Sequence, residues 1–395
     1  MKKITAYTLC FCMLILLNAC GHKDETYSEY GTDAPAEDML IAVISTEEGA
    51  KDKGLNQEIY EACKDYCSNY DLPFEYYKPD DNSEDSLNEM VEAAISAGYN
   101  IIVFAGDDFA PTLIKESELH QKTKFIVLDM DEECILSETL GTKYDGNPSN
   151  WDASNYYSSY NVYYANYREE QAGYLAGYSS VMMGYKNLGY LGDETSVSSE
   201  KYGNGFVQGA DDAAEELGKN NISVTYGYAG QSEGNKKLTS SIREWYDSGT
   251  EVVMTYGNVY TSVAEAASKT DSKIILTDFE RSISVNKKYG KETVLTSAYK
   301  SYRYTLNTIL SQIYKGKWHE YTGKVDYLGL ITSEAPDKNF VQLSYENTLW
   351  TDSFGSDDYC KLISKIINEE LVVSNNISAE PSAKYITVNY VGVLN

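Results

Sequence analysis

The sequence predicts an α/β protein built from two doubly wound parallel sheets. Short apolar runs rich in β-branched residues alternate with amphipathic helical patterns along most of the 395 residues. Apolar runs of this kind, without alternating polar positions, are typical of parallel strands that helices cover on both faces. The chain is also too long for one ordinary hydrophobic core, which favours two lobes.

The first lobe is predicted from an alternation that begins at Met39. Strands are predicted at 39–45, 74–77, 100–106, 124–131 and 162–167, and helices at 55–69, 86–98 and 111–120. Residues 141–161 interrupt the alternation with Gly, Asn, Ser and aromatic residues, so we interpret them as an inserted loop.

A second alternation of the same kind follows. It predicts strands at 187–193, 223–230, 251–257 and 273–279, and helices at 168–183, 199–217, 235–248 and 261–269. Apolar stripes at helical spacing indicate two more helices, near 306–313 and 362–367. We place the first lobe at 39–162 plus 279–326 and the second at 163–278 plus 327–395.

The start of the chain has the pattern of an exported lipoprotein. Two lysines precede an apolar run, 9–17, that is too short to span a bilayer as a helix. The run ends in Leu17-Asn18-Ala19-Cys20, which resembles the bacterial lipobox, where the cysteine is acylated. We therefore interpret 1–19 as a lipoprotein signal peptide, Cys20 as the lipidation site and the polar segment 20–38 as a flexible tether. The alternative is an ordinary signal peptide with an incidental cysteine.

Composition excludes one class of partner. Without residues 1–19 the chain keeps 31 of its 33 Lys and Arg against 60 Asp and Glu, a formal charge of −29. Such a surface repels nucleic acids, so we predict no nucleic-acid partner. Tyrosine is over-represented, with 37 tyrosines against 9 phenylalanines, and we expect many of these rings on or near the surface.

Signatures of catalysis and of cofactor binding are missing from the sequence. The glycines of "YGNGFVQG" have the wrong spacing for a dinucleotide site and instead predict close packing of a helix. The three histidines are far apart in the sequence, and Cys63 and Cys67 fall on the apolar stripe of a helix, so both patterns argue against a metal site. We therefore expect no enzyme activity, no metal and no cofactor.

Polar residues follow several of the predicted strands. Ligands of open α/β sheets bind beyond the carboxyl ends of the strands, because the loops there converge. Carboxylates accept hydrogen bonds from hydroxyl and ring NH groups and a lysine donates them, so this set suits a small polyhydroxylated or heteroaromatic ligand. The alternative for each acid is that it caps the following helix. The candidate residues at these ends are Asp52, Asn56, Asp107, Asp129, Gly257, Asp278 and Lys300.

Four segments resemble the basic membrane protein (BMP) family of substrate-binding lipoproteins. "GAKDKGLNQEIYEACKDY" is similar to the D-x-x-F-N-Q opening of that family, and "NVYYANYREEQAGYLAG" to its F-R-E-E-x-A-x-Y-L-A-G segment. "NLGYLGD…YGNGFVQGADDA" resembles its glycine-rich stretch, and "IILTDFE…VLTSAYKSYRYTLNTIL" its D-x-D-Q…V-L-T-S-x-x-K pattern. The sequence departs from the pattern at Leu55, where the family usually has Phe.

The resemblance implies a type I periplasmic-binding-protein fold, with two Rossmann-like lobes joined at a hinge by three crossovers. It also implies a lipid-anchored protein on the extracytoplasmic face of the membrane that binds a purine nucleoside and partners the permease subunits of an ABC importer. By motif, Asn56 and Asp129 take the base-binding places, Asp278 and Lys300 the ribose places, and Tyr202 the place of a stacking aromatic ring. The alternatives are a ligand-sensing regulatory lipoprotein and a receptor for another small polar molecule such as a sugar.

Overall fold

The computed structural model describes residues 35–146, 150–151, 153–157, 159–290 and 292–394. The predicted signal peptide, the lipidation site Cys20 and the tether as far as residue 34 lie outside the described residues. Within the described ranges, no helix combines the length and the apolar character that crossing a membrane requires.

Strands and helices alternate from the beginning of the described chain almost to its end. The strands are β1 (Ile41–Ile44), β2 (Phe74–Tyr77), β3 (Ile101–Ala105), β4 (Lys124–Leu128), β5 (Val162–Tyr167), β6 (Asn187–Gly192), β7 (Ser223–Tyr228), β8 (Val252–Thr255), β9 (Lys273–Leu276), β10 (Val294–Lys300), β11 (Lys324–Leu328), β12 (Val341–Leu343) and β13 (Thr387–Val393). The helices are α1 (Leu55–Tyr70), α2 (Glu84–Ser96), α3 (Ala110–Leu119), α4 (Glu132–Leu140), α5 (Glu169–Met182), α6 (Val197–Glu216), α7 (Lys236–Asp247), α8 (Tyr260–Ala267), α9 (Phe279–Tyr289), α10 (Tyr302–Tyr314) and α11 (Ser356–Ile367).

The strands form two sheets. The first has six parallel strands in the order β11-β5-β4-β3-β1-β2. The second has seven strands in the order β12-β10-β9-β8-β6-β7-β13, of which β12 is antiparallel to its neighbour β10. Two parallel sheets with helical crossovers are the predicted α/β architecture, which is thereby confirmed.

The burial of the strands explains why their sequences are continuously apolar. In β1, Ile41 and Val43 belong to one buried cluster, whereas Ala42 and Ile44 belong to another on the opposite face of the sheet. All four side chains are almost completely buried. Both faces of the strand are therefore covered, and no position is left for an exposed polar side chain.

The strand assignments differ from the predicted lobe boundaries at the crossovers between the sheets. The whole of β5 belongs to the first sheet, although the predicted boundary fell at its first residue, and β11 continues in that sheet to Leu328. Strand β10 belongs to the second sheet, although residues 279–326 were assigned to the first lobe. Pairing partners decide which sheet a strand joins, and the apolar pattern of a single strand carries no information about its partners.

Helices α4 and α9 were not predicted, because the sequence pattern extended the preceding strands too far. The predicted strand 124–131 ends at Leu128, and the next residue, Asp129, has a φ of 54°. The predicted strand 273–279 ends at Leu276. Each strand therefore stops early enough for a helix to begin at Glu132 or Phe279.

Helices α5 and α6 pack in unusually close contact. A Cβ atom on Gly205 would lie 2.0 Å from the carbonyl oxygen of Glu170, and one on Gly209 would lie 2.1 Å from that of Tyr174. Glycine is therefore required at both positions by the neighbouring backbone. This confirms the prediction that these glycines serve helix packing.

Candidate functional site

The carboxyl ends of the two sheets meet at an ion pair between Asp129 and Lys300. Asp129 follows β4 of the first sheet, and Lys300 is the last residue of β10 in the second. The ammonium Nζ of Lys300 lies 2.6 Å from Oδ1 of Asp129, and the hydroxyl of Tyr302 donates to Oδ2 over 2.6 Å. Two of the predicted site residues are thus brought into direct contact.

Glu169 extends this ion pair into a buried network. Its side chain is fully buried at the start of α5, where Ser198 donates a hydrogen bond of 2.7 Å to Oε1. The Nζ of Lys300 lies 3.5 Å from Oε1, and that of Lys201 lies 3.6 Å from Oε2. We name Asp129, Glu169, Lys201, Lys300 and Tyr302 the junction network.

The charges of the junction network stabilise one another. Burial alone would raise the pKa of Glu169, but Lys201 and Lys300 lower it below its ordinary value. Burial likewise opposes the charge of Lys300, yet Asp129 makes the largest of the contributions that raise the pKa of that lysine well above its usual range. Both groups are therefore charged at neutral pH.

Tyr202 lies beside the network and is completely buried. Its ring centroid is 5.5 Å from that of Tyr256, with 35° between the planes, and Nζ of Lys300 lies 6.0 Å from the ring centroid of Tyr202. The hydroxyl of Tyr202 is buried and has no hydrogen-bond partner among the residues that the structure describes. Tyr202, which was predicted as a stacking ring, therefore forms an aromatic surface together with Tyr256, and its hydroxyl is unpaired within the described residues.

Asp278 pairs with Arg281 and is not in the junction network. Its Oδ2 lies 2.8 Å from Nη1 of Arg281, whose guanidinium also lies over the ring of Tyr260 at 5.0 Å. A Cβ on Gly54 would lie 2.8 Å from Nη2 of the same arginine, so this side chain reaches the loop before α1. The resemblance assigns both Asp278 and Lys300 to the ribose. In the structure Asp278 instead pairs with Arg281, and Lys300 pairs with Asp129.

Asp52 and Asn56 use their polar atoms within the loop that leads into α1. Oδ1 of Asp52 accepts hydrogen bonds from the amides of Gly54 and Gln57, and Oδ2 accepts from both nitrogens of Asn56. Oδ1 of Asn56 accepts from the amide of Thr46. Asp52 therefore satisfies free amides in the first turn of the helix, which is the capping role considered as the alternative for these acids.

Asp107 and Gly257 hold turns next to the junction network. Oδ1 of Asp107 accepts a hydrogen bond of 2.6 Å from the amide of Asp131. Burial together with the nearby acids raises the pKa of the side-chain carboxyls of Asp107 and Asp131. Gly257 has a φ of 82°, and a Cβ there would lie 1.8 Å from Oδ2 of Asp193. Only glycine fits this position without displacing Asp193.

A cavity of about 260 Å³ lies on one side of the junction network. Its volume is slightly below the ~300–1,000 Å³ of typical small-molecule sites, so it suits a small ligand or part of a larger one. None of the eight predicted ligand-binding residues lines it, but their sequence neighbour Lys201 does, as does Trp151 from the 141–161 insertion. The remaining lining residues are Glu132, Glu133, Tyr167, Arg168, Glu170, Val197, Tyr327, Asn375 and Ile377.

Sequence reasoning missed four residues of the site: Glu169, Lys201, Arg281 and Tyr302. Glu169 carried a usable signal, since it is one of two adjacent acids at the start of α5, whose following positions are almost all uncharged. Lys201, Arg281 and Tyr302 each lie within three residues of a predicted site residue, but a lysine, an arginine or a tyrosine in the first turns of a helix is common and does not by itself indicate a site. Their role depends on contacts between distant segments.

Comparison with known proteins agrees with this architecture. A family model described as Bmp, ABC transporter substrate-binding protein PnrA-like, matches residues 40–376. A solute-binding protein of an ABC transporter system from Conexibacter woesei DSM 14684 shares 16% identity over 85% of this chain and 99% of its own, with a TM-score of 0.64. A solute-binding protein of the same kind from Aeropyrum pernix K1 shares 15% identity over 86% of this chain and 94% of its own, with a TM-score of 0.59.

A transcriptional activator of the comK gene from Bacillus halodurans has a similar structure, with 16% identity over 83% of this chain and 96% of its own and a TM-score of 0.60. At such low identities these structures show the fold alone, which is the predicted periplasmic-binding-protein fold. No curated protein matches the chain. Because the family model covers most of the sequence, the chain belongs to the Bmp family of PnrA-like ABC transporter substrate-binding proteins.

Proposed function

We propose that this substrate-binding protein is a lipid-anchored receptor on the extracytoplasmic face of the membrane, which binds a purine nucleoside and delivers it to an ABC importer. The signal pattern and Cys20 support the anchor, and the family supports the transporter. The resemblance of the site motifs supports the ligand class. The ligand binds in the cleft between the two sheets, at the junction network.

The observation that carries the proposal is the contact between Asp129 and Lys300 beside two aromatic rings. The carboxylate accepts hydrogen bonds from base NH or ribose hydroxyl groups, and the ammonium donates them. The rings of Tyr202 and Tyr256 provide a face for a planar base, to which stacking contributes about 1–3 kcal/mol. Acceptor, donor and π-face are the three features that recognition of a nucleoside requires.

A ligand that binds here must compensate for the loss of the contact between Asp129 and Lys300. The Asp129–Lys300 pair joins the two sheets directly, so a ligand between them must replace that contact with bonds of its own to both groups. A ligand shifts the equilibrium between open and closed forms only through its differential affinity for them. The proposed ligand therefore contacts both sheets, and the closed form is the one that the importer recognises.

Thermal unfolding of the chain from Pro35 onward tests the proposal, because this part forms one compact unit. A ligand at a hundred times its dissociation constant stabilises the folded state by about 2.7 kcal/mol. Adenosine, guanosine and inosine are expected to raise the melting temperature, whereas ribose, glucose and arabinose leave it unchanged. Stabilisation by a sugar and by none of the nucleosides would contradict the proposal and favour a sugar receptor.

A further inference from the structure

Helices α2 and α3 bring together three metal-ligating side chains far from the cleft. Glu92 lies on α2, Glu116 lies in the last turn of α3, and His120 follows directly after that helix. In a parallel α/β unit each helix runs back from the carboxyl edge of the sheet to the amino edge. The group therefore lies at the edge of the first sheet that faces away from the junction network.

The distances within the group suit a single small cation. Nε2 of His120 lies 3.0 Å from Oε1 of Glu92 and 3.3 Å from Oε2 of Glu116. One ligand atom from each of the three residues lies within 4.8 Å of the other two. Ligand atoms of a tetrahedral zinc ion, at bond lengths of about 2.0–2.2 Å, stand about 3.3–3.6 Å apart, so small side-chain adjustments complete the geometry.

Glu116 provides an independent indication of a cation. Its side chain is 1% exposed, and both carboxylate oxygens are buried without a hydrogen-bond donor among the described residues. Its ionic neighbours are the acid Glu92, His120 and the half-exposed Lys115, whose Nζ is 3.8 Å away. A buried carboxylate is costly unless it is paired and hydrogen-bonded or binds a metal. Glu116 is only weakly paired with its neighbours, and a bound metal ion would offset the cost of burying its charge.

Asn161 holds the backbone of the group in place. Its side-chain nitrogen donates hydrogen bonds of 3.1 Å to the carbonyl oxygens of Ser117, His120 and Thr123. Asn161 itself is buried and directly precedes β5. The end of α3 is therefore fixed by the sheet, which positions His120 relative to Glu116 before any ion binds.

We propose that Glu92, Glu116 and His120 form a binding site for one zinc ion, independent of the ligand site in the cleft. One imidazole and two carboxylates make three protein ligands, a donor set that suits zinc better than magnesium or calcium. The fourth position is open to water. The sequence predicted no metal because the histidines are far apart, but this site uses one histidine with two acids, and one of these lies four residues before it.

Calorimetric titration of the metal-free full chain with zinc chloride at neutral pH tests the site. The wild type is expected to bind one equivalent of zinc, and magnesium chloride is expected to give no comparable binding. Glu92→Gln removes an exposed ligand without disturbing the core and is expected to weaken zinc binding at least tenfold. His120→Gln is expected to weaken it further, because it removes the nitrogen ligand.

Glu89→Gln is the matched control, since Glu89 is an exposed acid one turn before Glu92 on the same helix. It makes the same change in charge and is expected to bind zinc like the wild type. Equal zinc binding by Glu92→Gln and Glu89→Gln, or failure of the wild type to bind zinc at high micromolar concentration, would overturn the proposal. In that case the group is an ion pair of a histidine with two acids.

Discussion

Lys300 at the end of β10 donates a hydrogen bond of 2.6 Å to Asp129 after β4, across 171 positions of the sequence and between two separate sheets. The side chains are 7% and 13% exposed, so water and salt screen the pair weakly. Removing Lys300 leaves the poorly hydrated carboxylate of Asp129 without its counter-ion, whereas removing Asp129 leaves Lys300 with Glu169 at 3.5 Å. This contact is therefore a structural link between the sheets and, in the proposed function, the place where the ligand binds.

Lys300→Met is expected to lower the free energy of unfolding by about 3–5 kcal/mol, because it leaves the carboxylate of Asp129 buried with a tyrosine hydroxyl as its remaining partner. The double variant Asp129→Asn/Lys300→Met is expected to recover more than half of that loss, since no lone charge remains. Urea unfolding of the wild type, both single variants and the double variant measures the coupling. Strictly additive losses would mean that the two residues do not stabilise each other.

Two buried tyrosines beside the junction network are expected to respond differently to loss of the hydroxyl. Tyr302→Phe removes a donor to Asp129 and is expected to cost about 1.5–3 kcal/mol. Tyr202→Phe removes a buried hydroxyl that has no partner in the described part of the chain, and it is expected to leave stability unchanged or to raise it by up to about 1 kcal/mol.

Thermal and urea unfolding of the two phenylalanine variants check this order. Tyr202→Ala serves as the volume control and is expected to cost about 3–5 kcal/mol, because the ring is fully buried. A larger loss for Tyr202→Phe than for Tyr302→Phe would show that the hydroxyl of Tyr202 has a structural role.

Glu170 is expected to make the protein less stable as the pH rises from about 4.5 to 7. Burial raises the pKa of Glu170 to about 7 from an ordinary value of 4.5. The folded state thus holds a proton that the unfolded state has released, and this contribution to stability is full below pH 4.5 and lost as the pH passes 7. Its size is about 3 kcal/mol, since each pKa unit corresponds to about 1.4 kcal/mol.

The difference in unfolding free energy between wild type and Glu170→Gln, measured from pH 4 to pH 8, isolates this contribution. The glutamine variant is expected to show a smaller decline with pH, reduced by the contribution of Glu170, whereas the exposed-site control Glu89→Gln declines like the wild type. Parallel profiles for wild type and Glu170→Gln would show that Glu170 is ionised in the folded protein throughout this range.

Cys20→Ala tests the proposed anchor. Without the cysteine that the lipobox pattern places at the cleavage site, the chain is expected to be released into the medium or to remain unprocessed. Fractionation of cells with mass determination of the product measures the outcome. A variant that remains in the membrane fraction with the mass of the processed wild type would show that another feature holds the protein there.

The sequence predicted those parts of the fold that depend on local patterns. Continuous apolar strands such as β1 indicated sheets covered on both faces, and the carboxyl ends of strands drew attention to Asp129 and Lys300, which the structure brings into contact. Their pairing was not predictable, since a charge at a strand end does not indicate which distant charge it meets. The same limit hid the approach of Glu92 to His120, which depends on the packing of two helices.

Tyrosine shows how far composition predicts burial. Most of the tyrosines that the structure describes are partly or fully exposed, as expected, but Tyr163, Tyr164 and Tyr167 of β5 are all buried. Each hydroxyl finds a partner inside the protein, respectively the carboxylate of Asp326, the carbonyl oxygen of Met130 and the hydroxyl of Thr305. A tyrosine with a satisfied hydroxyl fills a core as a phenylalanine does.

Calorimetric titration of a purine ribonucleoside and its 2′-deoxy analogue into the wild type and into Asp129→Asn/Lys300→Met tests the central claim most directly. The wild type is expected to bind the ribonucleoside with one-to-one stoichiometry and to bind the 2′-deoxy analogue more weakly, by up to about 10⁴-fold where buried groups lose their partner. The double variant, whose fold is checked by the urea unfolding above, is expected to lose at least about a hundredfold in affinity for the ribonucleoside. No binding of any purine nucleoside to the wild type, or equal binding by wild type and double variant, would contradict the assignment of the cleft as a nucleoside site.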